Sequence, residues 1–181
     1  MKIRENRTWI LVGAGLVILE AFLFWKYGYH WIKTLRYQVL TAFLVALGVI
    51  DYREQLVPNR LLLILSGIRG ILLIIEVILF REIWADLLIS AFAGMGMGFL
   101  VFLIAKLIAR NGIGWGDIKL TAVMGSYLGS SLILFDILVC LILCAVYSLV
   151  QLIGKKKTLH DSLPMVPFFS VGTILLLIIG F

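Results

Sequence analysis

The sequence predicts an all-α fold, a polytopic bundle of transmembrane helices with about seven spans. Of its 181 residues, 62% are hydrophobic and only 14% are charged, and the mean hydropathy is +1.11. The apolar residues form repeated runs long enough to cross the hydrocarbon core of a bilayer. The net charge of +6 comes from basic residues at the ends of these runs rather than on one face, which excludes a nucleic-acid-binding protein. We expect one transmembrane domain over residues 1–181, with the lipid bilayer as a partner.

Seven apolar runs predict the seven helices. They cover Thr8–Trp25, Leu35–Ile50, Arg60–Leu79, Asp86–Ile108, Ile118–Leu134, Phe135–Ile153 and Leu163–Phe181. The fifth and sixth runs are separated only by a short turn at Ser130-Ser131, so a re-entrant pair is the alternative there. The first run is preceded by basic residues, as in a signal peptide, but Glu20 interrupts it and no clean cleavage site follows. We therefore interpret it as a span.

The distribution of basic residues predicts the orientation. One set of loops contains eleven of them, namely Lys2, Arg4, Arg7, Arg53, Arg60, Lys106, Arg110, Lys119, Lys155, Lys156 and Lys157. The opposite set contains four, namely Lys26, Lys33, Arg36 and Arg81, and the remaining Arg69 lies within the third run. Because cytoplasmic loops of membrane proteins carry the excess of Lys and Arg, the amino terminus is predicted to be cytoplasmic.

Two aspartates at the ends of spans are the candidate catalytic residues. Asp51 ends the second run, and Asp117 ends the glycine-rich segment Gly112-Ile113-Gly114-Trp115-Gly116. Carboxylates at a membrane boundary are costly and usually functional, and seven spans put both on the cytoplasmic side. Paired carboxyl groups hydrolyse peptides when one takes a proton from water and the other polarises the carbonyl. This chemistry requires no metal ion or cofactor.

The helix dipole suggests which aspartate is ionised. Asp117 lies at the amino end of the fifth predicted helix, where negative charge is favoured, and Asp51 lies at the carboxyl end of the second, where it is disfavoured. We therefore expect Asp117 to be the carboxylate and Asp51 the acid, although each dipole contributes only about 0.3–1 kcal/mol.

Three alternating glycines precede Asp117. Gly112, Gly114 and Gly116 lack side chains on every second position, which lets an extended peptide substrate approach the backbone. They also permit a positive φ angle. The alternative is a flexible hinge between two spans. On the other side of the site, Pro58-Asn59 predicts a helix start, with Asn59 as the N-cap of the third helix.

These segments resemble the type IV prepilin peptidases, a family of bacterial aspartyl membrane proteases with a Gly-x-Gly-Asp motif. Asp51 followed by Val57-Pro58-Asn59 is similar to the family's first motif, and Gly112 to Leu120 is similar to its second, Gly-x-Gly-x-Gly-Asp-x-Lys-Leu. Leu163 to Phe169 resembles a Pro-Phe-Gly-Pro-Phe segment, with Met165 and Val166 in place of Phe and Gly. The stretch Leu19 to Gly28 resembles the first family helix, which begins with a Glu.

The resemblance implies the Gly-x-Gly-Asp aspartyl membrane protease fold, with Asp51 and Asp117 catalytic. It also implies a substrate, the basic leader of type IV prepilins or related pseudopilins, cut on the cytoplasmic face of the bacterial inner membrane. We expect the negative charges of Asp51, Glu54 and Asp117 to attract that leader. Lys119 either tunes the charge of Asp117 or is an ordinary interfacial lysine.

One departure from the family concerns a cysteine-rich insert. Many members carry two Cys-x-x-Cys pairs ahead of the first span seen here, linked to N-methylation of the new terminus. The chain has seven residues before its first predicted span and no Cys-x-x-Cys. We therefore expect a short form without zinc binding or methyltransferase activity. Cys140 and Cys144, four residues apart, are expected to pack within a helix.

Other charged residues are expected to be structural. Glu20, Arg69 and Glu76 lie within spans, where charges face the bundle interior. A bridge from Glu20 to Arg69 is one option for these charges, and we expect Arg69 and Glu76 to be too far apart for a direct pair without neighbours. The remaining expectations are close helix packing at Gly94, Gly96 and Gly98, a lipid anchor at Lys155-Lys156-Lys157, solvated loop positions for His160 and Asp161, and outer positions without a role for Asp86 and Asp136.

Three other functions are compatible with parts of the sequence. A transporter that relays ions between two aspartates would place them near the membrane midplane and would show an internal repeat, and the chain has no visible repeat. A presenilin-type intramembrane protease shares Gly-x-Gly-Asp but carries a terminal Pro-Ala-Leu element that is absent from this sequence. An inactive assembly factor would not need both aspartates.

Overall fold

The computed structural model describes residues 15, 17–109, 112–154 and 163–179. Over these residues the chain is all-α, as predicted, and forms seven α-helices. The described part of α1 covers residues 17–26. The other helices are α2 (Trp31–Glu54), α3 (Asn59–Leu79), α4 (Trp84–Ile108), α5 (Trp115–Leu128), α6 (Ile133–Ile153) and α7 (Val166–Ile179). A single 3₁₀ turn, Arg81–Ile83, leads into α4.

Four helical stretches are long and apolar enough to cross a membrane, which identifies a multi-pass membrane protein. They are Trp31–Glu54, Asn59–Leu79, Arg81–Ile108 and Ile133–Ile153. Helix α7 is apolar but has only 14 residues. The number of seven helices therefore agrees with the sequence, whereas seven full spans and a cytoplasmic amino terminus stay predictions.

Helix α5 differs most from its predicted bounds. The sequence predicted Ile118–Leu134, but the helix begins at Trp115 and ends at Leu128. It ends there because Gly129 has a φ of 80°, a conformation that glycine adopts without strain and that cannot continue a helix. The predicted turn at Ser130-Ser131 is present and separates α5 from α6.

Helix α5 packs directly against the backbone of α4. A Cβ atom added to Gly94 would collide with the Gly125 carbonyl oxygen, and one added to Gly98 would collide with the Thr121 carbonyl oxygen. The Thr121 hydroxyl donates to the Gly98 carbonyl oxygen at 3.2 Å. Close packing is thus confirmed for Gly94 and Gly98. It is wrong for Gly96, whose added Cβ would have no atom within 4 Å.

A buried ionic network joins α2, α3 and α5. Glu76 accepts from Arg69 at 2.9 Å and from Arg36 at 3.0 Å, and the Arg69 Nε atom donates to the Ser126 carbonyl oxygen at 2.7 Å. The expectation that Arg69 and Glu76 cannot pair directly is wrong, because the long arginine side chain covers two helical turns. Arg36, assigned above to a loop, lies within α2.

Glu20 has a different partner from the one considered above. Its carboxylate accepts from the Thr41 hydroxyl at 2.8 Å, and the side chain is 1% exposed. The option of a bridge to Arg69 is therefore wrong. Arg69 is held by Glu76 on its own helix instead.

Helices α6 and α7 meet around a buried carboxyl group. Asp136 is fully buried and accepts from the Thr173 hydroxyl at 3.2 Å, so it has a structural contact that the sequence did not indicate, while its position on the outer side of the membrane stays a prediction. Asp86 is exposed. Cys140 is buried, as expected, and lies against Gly172 of α7.

Several predicted features lie outside the described residues. They are the start of the first span at Thr8, the end of the last span at Phe181, and the residues Lys2, Arg4, Arg7, Arg110, Lys155, Lys156, Lys157, His160 and Asp161.

Candidate active site

Asp51 lies in the last turn of α2, where it meets the amino end of α7. Its side chain is 5% exposed, and its Oδ2 atom accepts from the Val166 backbone N–H at 3.0 Å. The Met165 N–H is a second backbone donor to this carboxyl group. The first backbone N–H groups of a helix have no partner within the helix and carry partial positive charge. The amino end of α7 therefore forms a receptor for a carboxylate at Asp51.

Contacts between α2 and α7 hold this receptor in place. The Ser170 hydroxyl donates to the Leu44 carbonyl oxygen at 2.6 Å. Gly48 faces the same hydroxyl, since a Cβ atom there would lie 2.9 Å from Ser170 Oγ. Pro167 is the second residue of α7, a position where the missing N–H breaks no helical hydrogen bond. The sequence after Leu163 therefore starts a helix whose amino end lies beside Asp51.

Asp117 is held by the start of its own helix. Gly114 is the N-cap of α5, and Asp117, three residues later, accepts from the Gly114 backbone N–H. This is the back half of a capping box, in which an acidic side chain reaches the N-cap N–H. A Cβ atom on Gly114 would lie 3.2 Å from Asp117 Oδ2, so glycine leaves room for the carboxyl group.

The other two glycines differ from Gly114 and from each other. A Cβ atom on Gly116 would lie 2.9 Å from the Val57 Cβ, so Gly116 lets the α2–α3 connection pack against α5. A Cβ atom on Gly112 would approach only Ala109, at 3.4 Å or more. None of the three has a positive φ, so the conformational freedom that glycine permits is not used at these positions. Binding of substrate at Gly112, Gly114 and Gly116 stays a prediction.

The two carboxyl groups influence each other. Burial, and then the negative charge of Asp51, raise the pKa of Asp117 to about 6, while the Gly114 N–H and the positive charge of Lys106 act in the opposite direction. Asp117 precedes the predicted fifth span, at the end of the bundle where Asp51 also lies. The structure thus brings the two aspartates together near one end of the helices, and not at the midplane that a transporter relay would use.

The contacts of Asp51 change the expected roles of the two aspartates. The dipole argument considered only the carboxyl end of α2, but the Asp51 carboxyl group also faces the amino end of α7. Burial works against a charge on Asp51, whereas two backbone donors favour its ionised form. The pKa of Asp117 rises chiefly through its own burial and then through the negative charge of Asp51. The geometry therefore favours Asp51 as the carboxylate and Asp117 as the acid, opposite to the sequence-based expectation.

Lys119 and Glu54, the remaining predicted site residues, lie at the same end of the helices as Asp51 and Asp117. The Lys119 Nζ atom donates to Asn59 Oδ1 at 3.1 Å, which joins α5 to the start of α3. Asn59 is the first residue of α3, and Pro58 is its N-cap, so the predicted capping role of Asn59 is wrong. Glu54 is exposed at the end of α2.

Two contributions to the site were missed in the sequence. The backbone of Met165 and Val166 binds Asp51, although these residues lie more than 110 positions away in the chain and depart from the family pattern. Lys106 donates to the Ile113 carbonyl oxygen at 2.7 Å, and was noticed only as a basic residue at a span end. Its position in the sequence, shortly before the glycine-rich segment, could have indicated that it lies near Asp117.

No set of three or more His, Cys, Asp or Glu side chains within the described residues is arranged to hold a metal ion. The chemistry that these residues offer is proton transfer between water, two carboxyl groups and a substrate.

Comparison with known proteins identifies the family. Residues 38–149, which include both aspartates, match the type IV leader peptidase family. The chain belongs to this family. The family resemblance seen in the sequence motifs is therefore confirmed.

Three relatives of this chain are described as leader peptidases. A prepilin leader peptidase/N-methyltransferase of Neisseria gonorrhoeae is 32% identical over 141 residues, covering 77% of this chain and 48% of the relative. One of Pseudomonas putida is 27% identical over 176 residues, covering 94% of this chain and 58% of the relative. The leader peptidase HopD of Salmonella typhimurium is 30% identical over 135 residues, covering 72% of this chain and 84% of the relative. The chain spans less than two thirds of the length of the first two. No solved structure matches significantly.

Proposed function

We propose that the protein is a membrane aspartyl endopeptidase that removes the basic amino-terminal leader from type IV prepilins or related pseudopilins. One observation carries the proposal: backbone N–H groups at two helix amino ends bind the two carboxyl groups, which lie close enough for the charge of Asp51 to add to the effect of burial on the pKa of Asp117. This is the electrostatic arrangement that lets two carboxyl groups share one proton. The names of the relatives, which are prepilin leader peptidases, support the substrate class.

The proposed reaction begins with Asp51 ionised and Asp117 protonated. The Asp51 carboxylate takes a proton from water as the water oxygen attacks the scissile carbonyl carbon, and Asp117 passes its proton to the carbonyl oxygen. The tetrahedral intermediate then collapses. The proton on Asp51 moves to the leaving nitrogen and the hydroxyl proton returns to Asp117, so both carboxyl groups regain their starting states.

The substrate would lie along the glycine-rich segment. An extended peptide needs backbone partners, and Gly112, Gly114 and Gly116 are half-buried or exposed beside Asp117. Exposed Glu54 would attract the basic leader. The excess of basic residues at this end of the predicted spans supports a cytoplasmic location for the site.

The test is a cleavage assay with purified protein in detergent and several prepilins and pseudopilins. We expect leader removal by the wild type and a loss of at least about 10³-fold in kcat/KM for Asp51→Asn and for Asp117→Asn, because members of a catalytic unit act together. Asp86→Asn, which changes an exposed aspartate outside this site, serves as the matched control and should cleave normally.

Thermal unfolding would check that each variant is folded. Cleavage that survives either site substitution would rule out the dyad mechanism. A folded wild type that cuts none of the prepilin or pseudopilin leaders would rule out the proposed substrate class.

A further inference from the structure

Lys106 lies in the last turn of α4, directly ahead of the glycine-rich segment that leads to Asp117. Its Nζ atom donates to the Ile113 carbonyl oxygen at 2.7 Å and lies 4.8 Å from the centre of the Trp115 ring. These two contacts lie on either side of Gly114, whose N–H binds the Asp117 carboxyl group. The lysine therefore spans the loop and holds the residues that flank the N-cap of α5.

We propose that Lys106 is a positioning residue for Asp117, which fixes the glycine-rich loop and supplies the positive charge beside the carboxyl group. This role is the one that the sequence motif suggested for Lys119. The proposal rests on the function proposed above, since it concerns the same site.

Lys106 and Lys119 have different contacts, and of the two it is Lys106 whose charge acts on Asp117. The charge of Lys106 lowers the pKa of Asp117, against the effects of burial and of Asp51. Lys119, although only two residues from Asp117, is exposed and donates to the Asn59 side chain of α3. On a helix, residues two apart point in different directions, so a lysine two positions after Asp117 does not face its carboxyl group.

Several other charged side chains lie at the same end of the helices as Asp117. Among the described residues, the titratable or charged side chains at this end of the helices that pack with α5 are Asp51, Tyr52, Arg53 and Glu54 on α2, Arg60 on α3, Lys106 on α4 and Tyr147 on α6. Tyr52, Arg53, Glu54 and Arg60 are exposed to solvent, where water and salt screen their charges. Within the part of the chain that the structure describes, Asp51 and Lys106 are the residues whose charges act on the pKa of Asp117.

The experiment measures the protonation of Asp117 directly and independently of catalysis. Protein labelled with ¹³C at aspartate carboxyl groups is titrated by NMR, and Asp117→Asn assigns the signal. The variants are Lys106→Met, which removes both the hydrogen bond and the charge, Lys106→Gln, which keeps a donor without the charge, and Lys106→Arg, which keeps both. Lys119→Met is the matched control.

We expect Lys106→Met and Lys106→Gln to raise the Asp117 titration midpoint by about half to one pH unit, because a nearby positive charge favours the carboxylate. Lys106→Arg should restore the wild-type midpoint, and Lys119→Met should leave it unchanged. A midpoint that moves as much in Lys119→Met as in Lys106→Gln, or that does not move in Lys106→Gln, would overturn the proposal. If Lys106→Met does not fold, Lys106→Gln and Lys106→Arg still decide.

The same variants in the cleavage assay separate this inference from the proposed function. The pH dependence of kcat/KM should follow the NMR midpoint, and Lys106→Met should lose more activity than Lys106→Gln because it also loses the loop contact. If the wild type cleaves no leader while the NMR midpoint moves as expected, the proposed function fails and the positioning role of Lys106 stands. If the wild type cleaves the leader but the NMR midpoint does not move in Lys106→Gln, the positioning role of Lys106 fails and the proposed function stands.

Discussion

The partly buried carboxyl group of Asp117 lowers the stability of the folded protein at neutral pH, independently of its part in the proposed chemistry. Its pKa is about 6 in the folded protein against an ordinary value of 3.8, so the folded state holds its proton more tightly than the unfolded chain. Well below the ordinary pKa of 3.8 both states are protonated and nothing is lost. As the pH rises from 3.8 to about 6, the folded state loses stability relative to the unfolded chain, and the loss levels off at higher pH. The full difference corresponds to at most about 3 kcal/mol, and less because Asp117 is partly exposed.

We therefore expect Asp117→Asn to be more stable than the wild type at pH 8 and no more stable at pH 4. A gain of 1–2 kcal/mol would raise the unfolding midpoint by roughly 2–8 °C in a chain of this size. Thermal unfolding in detergent at both pH values measures this, with Asp86→Asn as the exposed control. A midpoint that falls at pH 8, or a gain of equal size at pH 4, would contradict the assigned cause.

The aspartates themselves were visible in the sequence, but their environments were not. A charged residue at the end of an apolar run is costly, which singles out Asp51 and Asp117 without any coordinates. The partner of Asp51 is the amino end of α7, which is distant in sequence. An argument from the dipoles of α2 and α5, without α7, therefore favoured the opposite protonation.

At the scale of helices and their connections, the contact between Val57 and Gly116 sets the distance between the two halves of the site. Val57 follows the helix that carries Asp51, and Gly116 lies in the helix that carries Asp117. A Cβ atom on Gly116 would lie 2.9 Å from the Val57 Cβ, which is too close, so α5 and the α2–α3 connection would have to separate. We expect Gly116→Ala to lower kcat/KM roughly 10²-fold, because small displacements of catalytic groups cost about that much.

Removing the opposing atom provides the control for this prediction. Val57→Gly deletes the Cβ that Gly116→Ala would meet, so the double variant should recover much of the lost activity. Gly96→Ala adds the same methyl group on α4, outside the site, where it meets no atom within 4 Å. An equal loss in Gly96→Ala, or no recovery in the double variant, would mean that Gly116 does not act through helix spacing.

Hydrophobic runs predicted the helices better than they predicted how the helices meet. Every predicted span that is fully described contains a helix. Helix α2 extends beyond its predicted bounds at both ends, to Trp31 and Glu54, and α5 ends early because of Gly129. The period of apolar residues reports burial in lipid as well as in protein, so it does not distinguish the face of α4 that contacts α5 from the face that contacts lipid. The role of Gly94 and Gly98 was predicted from residue size, and the same rule failed at Gly96.

At the scale of the whole molecule, the ionic network of Arg36, Arg69 and Glu76 connects the helices that carry the two aspartates. The Glu76 side chain is 3% exposed and binds Arg36 of α2 and Arg69 of α3. Arg69 continues the network to the Ser126 carbonyl oxygen of α5. Composition suggested buried charges in the spans, but the pairing depends on how α2, α3 and α5 are arranged, which no local pattern encodes.

Glu76→Gln would remove the only charge in this network that balances the two arginines. Breaking a buried ion pair by removing one partner leaves an uncompensated charge and costs about 3–5 kcal/mol, so we expect the unfolding midpoint to fall by roughly 6–20 °C. Glu82→Gln, an exposed glutamate in the 3₁₀ turn, should change it by no more than about 1 °C. An unfolding midpoint for Glu76→Gln within 2 °C of the wild type would mean that the arginines find other partners, and that the network does not hold α2 and α5 in register.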